Sequence, residues 1–333
     1  MKQFSLLDLS PVADGSEVAE ALNNTIDLAI CAENNGYYRF WLAEHHNMPG
    51  IASAATSVVI SRVAAETNSI RVGAGGVMLP NHSPLVIAEQ FGTLASFFPG
   101  RIDLGLGRAP GSDQLTARAL RRKLDNNDNF PTDVVELLSY FSTNFNTASV
   151  NAIPGAGTNV PIWILGSSLF GAELAAHLGL PYAFASHFAP ALLENALFVY
   201  RSKFKPSEWL SEPYVIICVG VCVAETDEEA VYLKSSQILS FSSLIMGKPI
   251  KLPAPVENIG ELIPNQVLQQ VENTFACSAT GSMKTVDETL SNIKTQYQPD
   301  ELMVTGAIYD HELRKRSFEM TGKILSNYTN AQF

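Results

Sequence analysis

Phe40-Trp41-Leu42-Ala43-Glu44-His45-His46 begins as an apolar run with the character of a buried strand and ends in a carboxylate and two imidazoles. Titratable groups are costly inside a core, whereas the C-terminal ends of parallel strands are where α/β folds build active sites. The stretch therefore reads as a strand leading onto a reactive rim. Similar apolar runs occur at Phe4 to Leu9, Arg39 to Leu42, Ile70 to Val77, Arg101 to Leu106, Pro161 to Leu165, Tyr182 to Ala185, Tyr214 to Val223 and Glu301 to Thr305. Helix-period segments lie between and after them, near residues 16–34, 53–67, 84–97, 132–143, 168–178, 190–203, 227–245 and 311–327. Strands alternating with helices imply a parallel sheet with helical crossovers. Eight such units predict an α/β fold of the (β/α)8 TIM-barrel type rather than an open doubly wound sheet.

Local signals support these boundaries. Gly36 and Gly179 follow helical stretches as terminating glycines, Ser83-Pro84 sets a cap before a first-turn proline, and Thr226-Asp227-Glu228-Glu229 is a capped, acid-rich first turn. Two connections are long, one after the fourth strand and one after the seventh. The first contains Asp125-Asn126-Asn127-Asp128-Asn129 and the turn-rich Pro154-Gly155-Ala156-Gly157; the second contains a proline-rich stretch from Gly247 to Pro264 and a short β-like piece, Phe275 to Ser278. Insertions on a barrel serve as lids or binding loops or are merely solvated excursions. The expectation is one barrel domain over 1–333 with a lid-like insertion at about 247–280.

Bulk properties narrow the function. The 333 residues are 46% hydrophobic and 17% charged, with a net charge of −11. An acidic chain does not attract nucleic acid or an anionic membrane, so a small-molecule role is favoured. The densest basic patch, Arg118, Arg121, Arg122 and Lys123, reads as a solvated helix face. Cys31, Cys218, Cys222 and Cys277 form no C-x-x-C pair or regular framework, which fits a reduced cytoplasm, and Cys218 with Cys222 share one face of a strand as core residues. The start lacks a signal-peptide pattern, and the longest apolar run, Tyr214 to Ala224, is too short to span a bilayer.

Glycine spacing first suggests dinucleotide binding. Gly105-Leu106-Gly107 is followed by Gly111 four residues later rather than three, Pro110 with Gly111 describes a turn instead of a helix start, and Gly73-Ala74-Gly75-Gly76 continues as apolar strand. A nicotinamide site is therefore not expected. Gly75 and Gly76 either admit a flat ligand close to the backbone or mark a simple β-bulge. Arg108, directly after the fourth strand, can hold a phosphate or carboxylate bidentately or pair with a neighbouring acid. Ser167 and Ser168 precede a helix, as an anion site or as an ordinary cap; with Arg108 on the same rim, a phosphorylated cofactor is the better reading. His45 and His46 could be metal ligands, but neighbours on an extended backbone point to opposite faces and the H-x-H spacing is missing. The productive assignment is one imidazole facing the mouth, with Glu44 orienting one of the two and no metal bound.

The ordered set Trp41-Leu42-Ala43-Glu44-His45-His46, Val72-Gly73-Ala74-Gly75-Gly76-Val77-Met78-Leu79-Pro80, Gly100-Arg101-Ile102-Asp103-Leu104-Gly105-Leu106-Gly107-Arg108 and Glu301-Leu302-Met303-Val304 closely resembles the bacterial luciferase-like monooxygenase family, most of all its single-chain, non-luminescent flavin branch. The resemblance covers nearly the whole chain and is strongest at about 4–111 and 281–325. It implies a TIM barrel that binds reduced FMN at its C-terminal mouth and activates oxygen there. It implies His45 as the catalytic histidine and Gly75-Gly76 as the family's strand-three bulge, often a non-prolyl cis peptide, against which the isoalloxazine rests. It likewise implies Arg108 as the phosphate-binding arginine, and Ser168 with the Gly171 amide as the second half of that phosphate site. Two positions depart from luciferase: the reactive cysteine beside the arginine corresponds to Gly107, and a flavin-site glutamate to Ser167. Light emission from an aldehyde is therefore not expected.

The leading expectation is an FMN-dependent two-component monooxygenase acting on a small organic substrate. Reduced FMN would come from a separate flavin reductase, since no NAD(P)H fingerprint is present. Rival readings are F420-dependent hydride transfer, a flavin-binding protein without turnover, and a metal hydrolase. The helices Ile51 to Ala65 and Pro84 to Phe98 are more apolar than solvated barrel helices should be, so a homodimer is expected.

Overall fold

A computed structural model describes residues 1–108, 113–121, 129–142 and 150–330. The strands are β1 (Gln3–Asp8), β2 (Arg39–Leu42), β3 (Arg71–Met78), β4 (Ile102–Gly107), β5 (Ile162–Gly166), β6 (Tyr182–Phe184), β7 (Val215–Ala224), β8 (Ser278–Ser282) and β9 (Glu301–Thr305). The helices are α1 (Val18–Asn34), α2 (Thr56–Glu66), α3 (Pro84–Phe97), α4 (Gln114–Ala119), α5 (Phe130–Phe141), α6 (Leu169–Leu178), α7 (Leu193–Lys203), α8 (Asp227–Ile245), α9 (Asn265–Thr274), α10 (Met283–Tyr297) and α11 (His311–Asn330).

All strand pairings are parallel. β1 through β6 pair in chain order, β6 pairs β7, β7 pairs β9, and β9 returns to β1, closing an eight-stranded barrel. The (β/α)8 TIM barrel is thus the observed fold. A ninth strand modifies the expected count. β7 is ten residues long; its first part pairs β6 and β9, and from Gly220 to Ala224 it pairs β8. The anticipated β-like piece at Phe275 to Ser278 is this strand, displaced so that it begins at Ser278, and the expected last strand is the ninth in chain order.

Residue parity explains the two sides of the barrel wall, because successive strand side chains point to opposite faces. Phe4, Leu6, Phe40, Leu42, Val72 and Leu104 pack outward with the helices in the main core. Leu7, Trp41, Trp163, Ile216, Cys218 and Met303 pack together as a second, interior cluster, with the Trp41 and Trp163 rings 5.3 Å apart at 74°. Toward the N-terminal ends the interior turns polar. Arg39 donates from Nε to both Glu301 oxygens at 3.1 Å and from Nη1 to Asp103 at 2.8 Å; Arg71 and Trp41 Nε1 also donate to Asp103, and Tyr214 donates to Glu301 at 2.9 Å. Two guanidinium and two carboxylate groups make this plug formally neutral.

Ser83 stands at the N-cap of α3 but makes no side-chain cap bond, whereas two other expected caps form. Gly179 ends α6 at φ +64°, and Thr226 Oγ1 accepts from the Glu229 amide at the acid-rich start of α8. The sequence reading omits α4, α9 and α10. Pro110, Gly111, Arg122, Lys123 and residues 125–128 lie outside the described residues; Arg118 and Arg121 are exposed. Leu252, in the second insertion, forms a parallel bridge to Ala13 through Leu252 N to Val12 O and Asp14 N to Leu252 O, both 2.8 Å.

Candidate active site

A cavity of about 1310 Å³ opens at the C-terminal ends of the strands. A site for one drug-sized ligand runs to about 300–1,000 Å³, so there is room for two molecules. His45, Gly75, Gly76, Arg108, Ser167, Ser168 and Gly171 all line it. Residues far apart in the chain meet there because each follows, or ends, a strand of the same closed barrel.

The rim after β2 is built around Glu44. Its carboxylate accepts from the Met78 amide at 2.9 Å, from His46 Nε2 at 2.8 Å, from His82 Nε2 at 2.9 and 3.0 Å and from Asn81 Nδ2 at 3.3 Å. Burial alone would raise this carboxyl's pKa; the His82 and His46 hydrogen bonds and the Met78 amide outweigh it and hold the pKa below its usual value. Glu44 therefore orients His46 and ties the end of β2 to the turn after β3. His45 turns the other way, into the cavity, and its Nδ1 is closed off without a hydrogen-bond partner. Burial, reinforced by His46 and opposed by Glu44, lowers its pKa, so the imidazole is neutral at neutral pH.

On the same cavity the Gly75–Gly76 peptide is cis, and the β3–β4 register shifts between Ala74 and Val77. The two glycines are set by packing. A Cβ on Gly76 would sit 2.1 Å from Leu165 Cδ1 and 2.6 Å from the Gly105 oxygen; one on Gly75 would meet Leu7 and Trp41 at 2.9 Å. The backbone here can press on the interior side chains only because both Cβ atoms are missing. Gly105 and Gly107 are within β4 rather than in a phosphate loop, which removes the dinucleotide reading of their spacing.

The other wall is suited to an anion. Arg108 projects its guanidinium 4.1 Å over the Phe170 ring. Ser168 is the N-cap of α6 in extended conformation, with no side-chain cap bond, so its hydroxyl and the first-turn amides are not capped by the chain itself. Gly171, in the first turn of α6, lies against Tyr182 and Gly166, where an added Cβ would make only ordinary contacts of 3.4 and 3.5 Å.

A profile of the luciferase-like monooxygenase family matches residues 2–270. The chain belongs to that family. A luciferase-like monooxygenase of Escherichia coli strain K12 is 51% identical over 318 residues, 95% of each chain. The N-acetyl-S-alkylcysteine monooxygenase of Bacillus subtilis strain 168 is 31% identical over 338 residues, covering 96% of this chain and 97% of the relative. Among solved structures, apo-MsnO8 aligns with a TM-score of 0.91 at 34% identity, covering 98% and 99% of the two chains. Two more distant structures share the fold alone. They are the oxygenating constituent of a Pseudomonas putida 3,6-diketocamphane monooxygenase in complex with FMN (TM-score 0.68, 16% identity, 97% of each chain) and the coenzyme F420-dependent tetrahydromethanopterin reductase of Methanopyrus kandleri (0.72, 14%, covering 98% and 99%).

Two cavity residues escape the sequence reading. His82 follows the turn after β3, where only its contact with Glu44 reveals a role. His187 ends the Tyr182-Ala183-Phe184-Ala185-Ser186-His187 stretch, an apolar run closing on an imidazole just as the run from Phe40 to His45 does. That signal was present in the sequence.

Proposed function

We propose that this chain is an FMN-dependent monooxygenase of the two-component kind, taking reduced FMN from a separate reductase and acting on a small organic substrate. The observation that carries this is one cavity, large enough for two molecules, whose wall combines Arg108 over Phe170, the open start of α6 with Ser168, the Gly75–Gly76 floor and the neutral His45. These residues fit a flat ring bearing a phosphate. Arg108, Ser167, Ser168 and the Gly171 amide hold the phosphate, and Gly75–Gly76 supports the ring. Reduced FMN supplies the electrons for oxygen activation. The protein orients, excludes water and handles protons: His45 offers a neutral imidazole that holds or delivers a proton at the reacting centre, while Phe188, Phe241, Ile250 and Leu252 line an apolar compartment. The segment at about 247–280 acts as lid to a single barrel domain. With four free cysteines, a cytoplasmic setting suits the chain. No helix among the described residues is long and apolar enough to cross a membrane.

The test is equilibrium titration with FMN, riboflavin and F420. Tight FMN binding is expected, and Arg108→Ala should weaken it about 10- to 100-fold, the worth of a charge-assisted bond. Riboflavin, which has no phosphate, should bind both forms alike. Preference for F420 over FMN would replace this reading with F420-dependent hydride transfer.

The homodimer belongs to the same proposal. Val58 on α2 and Val86 and Phe97 on α3 are 68%, 45% and 70% exposed on adjoining helices. Sedimentation equilibrium should give a dimer, and Val58→Asp with Phe97→Asp a monomer; a monomer in the unchanged protein refutes it.

A further inference from the structure

The cavity wall contributed by residues 183–275 differs in kind from the rest. It comes from β6, β7, α8 and the segments beyond them, and it carries no Asp, Glu, Lys or Arg. Three phenylalanines dominate it, Phe188, Phe241 and Phe275, with the last two rings 4.9 Å apart. Set into this apolar surface is His187, its ring edge-on to Phe188 at 4.8 Å.

His187 Nδ1 is closed off without a hydrogen-bond partner, as is His45 Nδ1 on the same cavity. Burial, chiefly, pushes the His187 pKa down to about 3, so its ring is neutral beside a neutral His45. Lys234 itself does not line the cavity. Its amine donates to Gln237 Oε1 at 2.7 Å and lies 4.8 Å over the Phe275 ring. With Nδ1 shut away on both rings, Nε2 is the nitrogen each can present to the cavity, and neither Nε2 is engaged by a hydrogen bond among the described residues, so both stand ready for a ligand. The Nε2 of a neutral imidazole is a donor or an acceptor according to tautomer, and a hydroxyl can match either. A carboxylate would have to shed its hydration against a wall that returns no cation.

We infer that His187 is a specificity residue of the substrate compartment: with His45 it hydrogen-bonds the polar group of an uncharged, aromatic or otherwise largely apolar substrate seated against Phe188, Phe241 and Phe275. The inference rests on the flavin reading for the identity of the other occupant, and on the cavity wall alone for the chemistry of this one.

Three matched probes test it on protein loaded with oxidised FMN: 2-naphthol, naphthalene and 2-naphthoate, titrated calorimetrically. The unchanged protein should bind 2-naphthol at least about tenfold more tightly than 2-naphthoate. His187→Phe should lower 2-naphthol affinity by about tenfold or more while leaving naphthalene and FMN within about twofold, and His187→Asn, which keeps a donor and an acceptor, should recover part of the loss. The inference is overturned if 2-naphthol affinity is unchanged in His187→Phe, if 2-naphthoate binds as well as 2-naphthol, or if 2-naphthol does not bind. Should FMN fail to bind, the flavin reading falls, and the same naphthol series on flavin-free protein decides the role of His187 separately.

Discussion

Asp103→Ala is expected to destabilise the barrel by about 3–5 kcal/mol, the usual consequence of removing one partner from a buried ion-pair network. Asp103 is fully buried and accepts from Arg39, Arg71 and Trp41 Nε1. Without it the plug holds two guanidinium groups against the single carboxylate of Glu301: the buried Arg39 loses one of its two acids, Arg71 loses the only one it has among the described residues, and the buried Trp41 Nε1 loses its acceptor. A native domain has about 5–15 kcal/mol in hand, so the variant should approach or pass its limit. The measurement is urea unfolding followed by circular dichroism. Asp103→Ala combined with Arg71→Met restores charge balance and should recover part of the loss; equal stability of Asp103→Ala and the unchanged protein would refute the argument. Its pH dependence has a definite sign. Burial raises the Asp103 pKa, but the charges of Arg39 and Arg71 outweigh it and leave the folded-state value depressed. The contribution is therefore complete above the unfolded value, about 4, and is lost as pH falls below it.

His45→Ala should reduce turnover with reduced FMN and oxygen by about 10²–10⁴-fold, the range for a positioned acid–base group. FMN affinity should change little, because the phosphate is held by Arg108 and the start of α6. The separation of the two effects is the diagnostic result; a parallel loss of flavin binding would make His45 a cofactor ligand only. Burial depresses the His45 pKa below the usual 6.5 or so. The active, neutral form thus predominates at pH 7 and above, and the rate should fall on the acid side of that ordinary value. His46→Ala should have a smaller effect, since it acts on the rim through Glu44, which His82 and the Met78 amide still hold.

The eight barrel strands were legible because parallel strands covered on both faces read as continuous apolar runs. β8 was not: Ser-Ala-Thr-Gly-Ser has no such run, and its position is set by the overhanging half of β7, a tertiary fact. α9 and α10 rest on few buried residues, Val271 in one and Val286 with Leu290 in the other, so their apolar stripes are thin. At the site, residues abutting strand ends could be found from sequence, which is why all seven candidates line one cavity. Pairings could not. That Glu44 engages His82 rather than His45 depends on how the turn after β3 lies against β2, and the importance of His187 emerges only once the apolar wall around it is assembled.

The neutral plug of Arg39, Arg71, Asp103 and Glu301 makes the barrel a blind well rather than a tunnel. Whatever enters from the mouth must leave by the mouth. A molecule in such a well is reached from one side only, so whatever covers the mouth governs entry and exit alike. The closed end thereby leaves the open one as the single route by which the cavity is filled and emptied.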